Sequence, residues 1–154
     1  MPASSAPQAT PLEVSVPHDA GSSVTRPVPV PTPLSAPFWA ACRENRLLVQ
    51  RCDACGAHIF TPQEFCRACH ATSLTWVESA GRGHIVTFTV IGRPQTPAFE
   101  TPYVVAVVEL EEGYEMITNI VGGPAEDVRI GDAVRVRFIP VTDEITLPCF
   151  EVVP

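Results

Sequence analysis

Four cysteines stand as two C-x-x-C pairs in CDACGAHIFTPQEFCRACH, Cys52 with Cys55 and Cys66 with Cys69. Ten residues separate the pairs. Zinc takes four soft ligands at tetrahedral corners, roughly 2.3 Å from each sulfur. A C-x-x-C knuckle offers two of them from one tight turn, and Gly56 follows Cys55 where that turn needs positive φ. Four thiolates close the shell and leave no place for a catalytic water, so the metal reads as structural Zn2+. Iron in the same cage of four sulfurs stays open. A thioredoxin-like redox motif would sit in a βαβ unit, and no such unit is evident. His58 and His70 flank the knuckles, but four thiolates suffice, so both read as surface or hydrogen-bonded histidines. Cys42 and Cys149 lie outside the pattern and read as small buried apolar residues.

The elements around this module are mainly β. Of the 17 prolines, nine fall within the first 37 residues. Residues 1–33 show neither helical nor alternating apolar period and read as a disordered, Pro-rich tail. LSAPFWAACRENRL then reads as a short helix, with Ser35 as N-cap and Pro37 in the first turn. Phe38, Ala41 and Cys42 share one face, while Arg43, Glu44 and Arg46 point to solvent. LLVQR leads as a strand into Cys52, and residues 34–73 form a helix plus ribbon unit. From Leu74 to Pro154 short β-branched runs alternate with turn signals, among them a hairpin at Glu112–Gly113. Such spacing suits a small five-stranded barrel of OB type over 74–154.

Charge and missing motifs narrow the function. The net charge is −7, and there is no lysine. Residues 38–98 carry six arginines against four acids, whereas residues 99–154 carry three against eleven. A nucleic-acid binder would show a basic face, so the alternative of a single-stranded OB reader is disfavoured. Glu109, Glu111, Glu112 and Glu115 read as a solvated rim at a hairpin tip. Nucleophile elbows, zinc-protease helices, phosphate loops and dinucleotide fingerprints are all missing from the sequence. The chain therefore reads as no enzyme by itself. Neither a secretory leader nor a run of roughly 20 apolar residues is seen, and a cytoplasmic protein without a membrane role is expected.

Taken in order, FWAACRENRL, LVQRCDACG, FTPQEFCRACH, LTWVESAGRGHIVTFTVIGRP, TPYVVAVVELEEG, ITNIVGG and VRIGDAVRVRF carry a resemblance. The chain resembles the acyl-CoA-associated OB-fold family with an N-terminal rubredoxin-like zinc ribbon, over about residues 34–154. The resemblance implies that Cys52, Cys55, Cys66 and Cys69 bind zinc. It also implies an accessory partner of a thiolase-like enzyme, an acyltransferase or retro-aldolase, whose own subunit holds the catalytic residues. A hotdog-fold enoyl-CoA hydratase is the alternative partner. An acyl-CoA shared with the partner would then meet the basic half of the chain. Arg82 and Arg93, which bracket the GHIVTFTVI strand, are the candidates for its phosphates. Phe38 and Trp39 either pack inward or anchor the partner.

Overall fold

A computed structural model describes residues 26–153 of the chain. Most of the tail expected to be disordered, residues 1–25, lies outside the described residues. The described stretch before the helix runs against the barrel: the Arg26 guanidinium stands 5.1 Å over the Phe99 ring and reaches Asn119 Oδ1 at 3.5 Å.

Helix α1, Ala36–Arg43, turns Phe38, Ala41 and Cys42 inward as the i, i+3, i+4 spacing requires. Ser35 stands at the N-cap position without capping. Its Oγ instead accepts from the Thr32 backbone N–H at 2.9 Å, closing the turn that feeds the helix. The far end closes at Asn45, φ 58°, where the Arg46 N–H reaches back to the Ala41 carbonyl at 2.9 Å.

Three strands form the ribbon sheet in the order β2–β1–β3: β1 is Leu48–Cys52, β2 His58–Ile59 and β3 Leu74–Glu78. Antiparallel register sets Gln50 against Ile59 on one side of β1 and against Trp76 on the other. The division at residue 74 thus cuts through this sheet. Leu74–Glu78 has the alternation of a strand, but its hydrogen bonds go to β1 and not to the barrel.

The barrel closes in the order β4–β5–β6–β8–β7. Its strands are β4 Arg82–Ile91, β5 Tyr103–Leu110, β6 Glu115–Val121, β7 Ala133–Pro140 and β8 Thr146–Val152. A bulge between Ile85 and Thr87 bends β4, which pairs with β5 along its length and with β7 at its start. Backbone pairing along the parallel β6–β8 seam is confined to Ile120↔Phe150 and Val121↔Glu151, and below it Thr118 Oγ1 donates to the Pro148 carbonyl at 3.1 Å. Along β5, Val104, Ala106, Val108 and Leu110 face inward with strict period two. They join Ile85, Met116, Val134 and Phe150 in one core that also takes Phe38, Cys42, Leu47 and Val49. Helix α1 and the first ribbon strand therefore pack into the barrel core, while Cys52, Ile59 and Cys66 form a second, smaller cluster. The short helix, ribbon and five-stranded barrel are those the sequence leads one to expect.

Candidate metal centre

Both knuckles are built alike. After Cys52-x-x-Cys55, Gly56 takes φ 75° and its N–H donates to the Cys52 carbonyl at 2.8 Å. After Cys66-x-x-Cys69, His70 takes φ 62° and donates to the Cys66 carbonyl at 2.9 Å. Each first cysteine then donates its own N–H two residues past its knuckle's second cysteine, Cys52 to Ala57 at 2.9 Å and Cys66 to Ala71 at 2.8 Å. Asp53 ties the first knuckle to the start of β3: its Oδ2 accepts from Ser73 Oγ at 2.6 Å and from Thr75 Oγ1 at 3.1 Å.

This pairing brings the four Sγ atoms within 4.8 Å of one another. Cys52 and Cys69 stand 3.6 Å apart, as do Cys55 and Cys66. A tetrahedron with metal–sulfur bonds of about 2.3 Å has edges of about 3.8 Å, close to these contacts. A disulfide, at about 2.05 Å, is ruled out by the same distances. The electrostatics prepare the site for a cation. Backbone N–H groups of Cys69 and Ala68 help draw the Cys66 thiol down to about 7. Cys69, in spite of the Ala71 N–H that lowers it, is pushed up to about 12 by its Cys55 and Cys52 neighbours. Four negative sulfurs this close need a bound cation to coexist. With no fifth donor among the described residues, the set suits a closed structural metal and offers no seat for a reacting water.

The histidines stand outside this set. His58 Nδ1 lies 3.0 Å from the Glu112 carbonyl oxygen and fastens the ribbon to the barrel, and His70 is an exposed turn residue. Glu112 departs from the expected solvated rim. Its carboxylate accepts from Ser79 Oγ at 3.0 Å and from the Ala80 N–H at 2.5 Å, locking the hairpin onto the β3–β4 connection. Cys42 and Cys149 are buried, as expected; burial pushes the Cys42 thiol up to about 12.

The remaining candidates do not converge. Arg82 already spends its fork on Glu111, at 3.1 and 3.0 Å, and Arg93 lies past the opposite end of β4. Of the two alternatives, burial favours inward packing for Phe38. It is 4% exposed, within 5.0 Å of the Trp39 ring and 5.6 Å of the Phe60 ring, so its side chain belongs to the core. Trp39, half-buried, lines a cleft of about 200 Å³ beside the β6–β8 seam with Phe60, Ile117 and Pro148. A larger hollow of about 530 Å³ adjoins it, between Phe60, Thr61 and Arg67 of the ribbon and Val107, Glu115 and Ile117 of the barrel. Ile117 carries no chemical motif that would mark it in the sequence. Its outward parity between Met116 and Thr118 in β6 was the available signal.

Comparison with known proteins bears on this arrangement. Residues 39–75 match the family model described as ChsH2, rubredoxin-like zinc ribbon domain, and residues 76–138 match ChsH2, C-terminal OB-fold domain. The chain belongs to the ChsH2/DUF35 family. It is 32% identical over 109 residues to a DUF35 domain-containing scaffold protein of Methanocaldococcus jannaschii, covering 69% of this chain and 77% of that one. It is 40% identical over 114 residues to a probable enoyl-CoA hydratase alpha subunit of Thermomonospora curvata. That match covers 73% of this chain but only 36% of the relative, so the chain spans about a third of the subunit's length. A solved structure titled Ltp2-ChsH2(DUF35) aldolase is similar at 37% identity and a TM-score of 0.75, over 81% of this chain and 98% of that one. As a ChsH2/DUF35 chain, the protein has its cysteine quartet inside the family's zinc-ribbon segment, and helix, ribbon and barrel follow in the expected order.

Proposed function

We propose that this chain is a non-catalytic accessory subunit that docks on a thiolase-like enzyme, an acyltransferase or retro-aldolase, and helps form or stabilise its acyl-CoA site. The observation that carries the reading is the likeness to the ChsH2(DUF35) chain of the Ltp2 aldolase, of which 98% is covered. Zn2+ held by Cys52, Cys55, Cys66 and Cys69 keeps the ribbon in shape, and the enzyme supplies the nucleophile and base. Phosphates of an acyl-CoA shared with the enzyme would meet Arg93 first, because Arg82 must leave Glu111 before it can contribute. The paired thiols suit the reducing cytoplasm. The name of the T. curvata relative favours a second reading, in which the partner is a hotdog-fold enoyl-CoA hydratase.

The test is reconstitution. The chain and the candidate enzyme are purified separately, and acyl-CoA turnover is measured with and without the chain. A stable hetero-oligomer and a rate that depends on the chain are expected. An enzyme equally fast alone, with no complex formed, overturns the reading. A brisk rate from this chain by itself does so too.

A further inference from the structure

In β6 the outward positions are Glu115, Ile117, Asn119 and the half-buried Val121. A barrel strand with one wet face normally keeps that face polar. Ile117 is 76% exposed there, opposite Val107 on β5. Single exposed apolar residues are ordinary, and Ile130, on the β6–β7 connection, is one at 68%. Ile117 differs in its setting. It lines both the cleft with Trp39 and the hollow under Phe60 and Arg67, so it stands at the floor of one concave corner between ribbon and barrel.

The corner is preformed. The loop carrying its ribbon wall is pinned by the Gln63 N–H, which donates to Oε1 of buried Gln50 at 2.7 Å. Among the described residues its charged lining is Arg67 and Glu115, one on each wall. A small ligand would call for several convergent polar groups, which a floor of Val107, Met116 and Ile117 does not provide. The next row outward is acidic: Glu109 faces Glu115 across the β5–β6 ladder. A second copy of a chain with net charge −7 would bring acids against acids.

We propose that this corner, centred on Ile117, is the seat of the enzyme subunit, which enters it with an apolar side chain and sets basic residues against Glu109 and Glu115. The inference rests on the accessory-subunit reading and adds the face through which it works. Trp39 and Phe60 supply aromatic walls of the kind that dominate binding energy, and Ile117 supplies the floor.

Tagged full-length chain is produced in its own host as wild type, Ile117→Asp, Ile117→Ala and Ile130→Asp. Co-purifying protein is identified by mass spectrometry, and zinc content and melting temperature are recorded for each variant. The expected result is a thiolase-like subunit recovered equally with wild type and Ile130→Asp. Ile117→Asp should recover about tenfold less or lower still, and Ile117→Ala severalfold less, at unchanged melting temperature. If both Ile117 variants keep the enzyme at wild-type level, the docking face is wrong while the accessory role stands. If wild type brings no such enzyme, both fall. If Ile117→Asp instead converts a homodimer to monomer in gel filtration, the occupant is a second copy and the proposal is overturned.

Discussion

At Gly83 a Cβ would fall on the Glu109 carbonyl oxygen across the β4–β5 ladder, and at Gly81 it would fall on Val136 Cγ1. Neither atom has room to retreat, since one is ladder backbone and the other packs against the core. Gly83→Ala should therefore cost about 3 kcal/mol in urea unfolding, whereas Gly92→Ala, with nothing within 4 Å, should stay within about 0.5 kcal/mol. The GRGHIV turn reads as a strand entry from sequence, but the need for no side chain comes from a strand brought in from elsewhere. Glu151 shows the same dependence on pairing. Its carboxylate accepts from Arg135 Nε at 2.7 Å and from Arg137 Nη1 at 3.1 Å, the Arg135 hydrogen bond being the main reason it is held below the ordinary glutamate value. A carboxyl depressed in the folded state adds stability above its unfolded pKa, and loses it as pH falls through the lower folded one. The stability gap between wild type and Glu151→Gln should hold at neutral pH and close as acidification passes below the ordinary glutamate range. A gap that widens in acid would contradict the pairing.

The ribbon has little besides its sulfurs to keep it folded. Its buried cluster is Cys52, Ile59 and Cys66, whereas the barrel core extends from Ile85 to Phe150 and takes in Leu47, just before β1, and Val49 within it. Structural zinc is worth about 10 kcal/mol or more to small metal domains, well beyond what one buried isoleucine provides. Chelation, or Cys66→Ser, should strip amide protection from residues 53–73 and leave β4–β8 protected, a contrast readable by hydrogen exchange. Loss of both together would mean that the metal also holds the barrel. Here the sequence was informative, because cysteine spacing is a local signal and the knuckle turn follows from it. Gly56 announced the first left-handed turn, but His70 adopts the same conformation without a glycine to mark it. Less was legible wherever partners are remote. LTWVE reads as a strand either way, and only the β1 edge decides that it closes the ribbon. Ser35 reads as a cap until Thr32 takes its hydroxyl, and Arg82 as a phosphate ligand until Glu111 arrives. The i, i+3, i+4 spacing with Ala41 and Cys42 already turns Phe38 inward, but how far the neighbouring Trp39 is covered depends on the barrel beside it.

Over the whole molecule the charge and the aromatic residues point the same way. Single-strand readers built on OB barrels lay bases on exposed aromatic rings inside a positive groove. The aromatic residues of the later barrel segments that might have formed such a platform are already committed. Tyr114 and Phe150 are 5% and 0% exposed, Phe138 packs against the core, and Tyr103 stacks on Phe99 with centroids 5.8 Å apart. The arginines of the barrel are likewise engaged: Arg82 with Glu111, and Arg135 and Arg137 with Glu151. Within the described barrel strands, ring stacking and counterion release therefore have little to offer a phosphate backbone, and eleven acids over residues 99–154 oppose it. Anisotropy of a labelled single-stranded oligonucleotide should stay flat up to about 100 μM chain at low salt, the weak limit of ordinary non-specific binding. The enzyme complex should respond to salt in its own way: acids steering a basic rim raise the association rate, so added salt should slow association more than it speeds dissociation. A salt-sensitive oligonucleotide signal, together with an enzyme association rate indifferent to salt, would reverse the assignment of this acidic barrel from protein partner to nucleic acid.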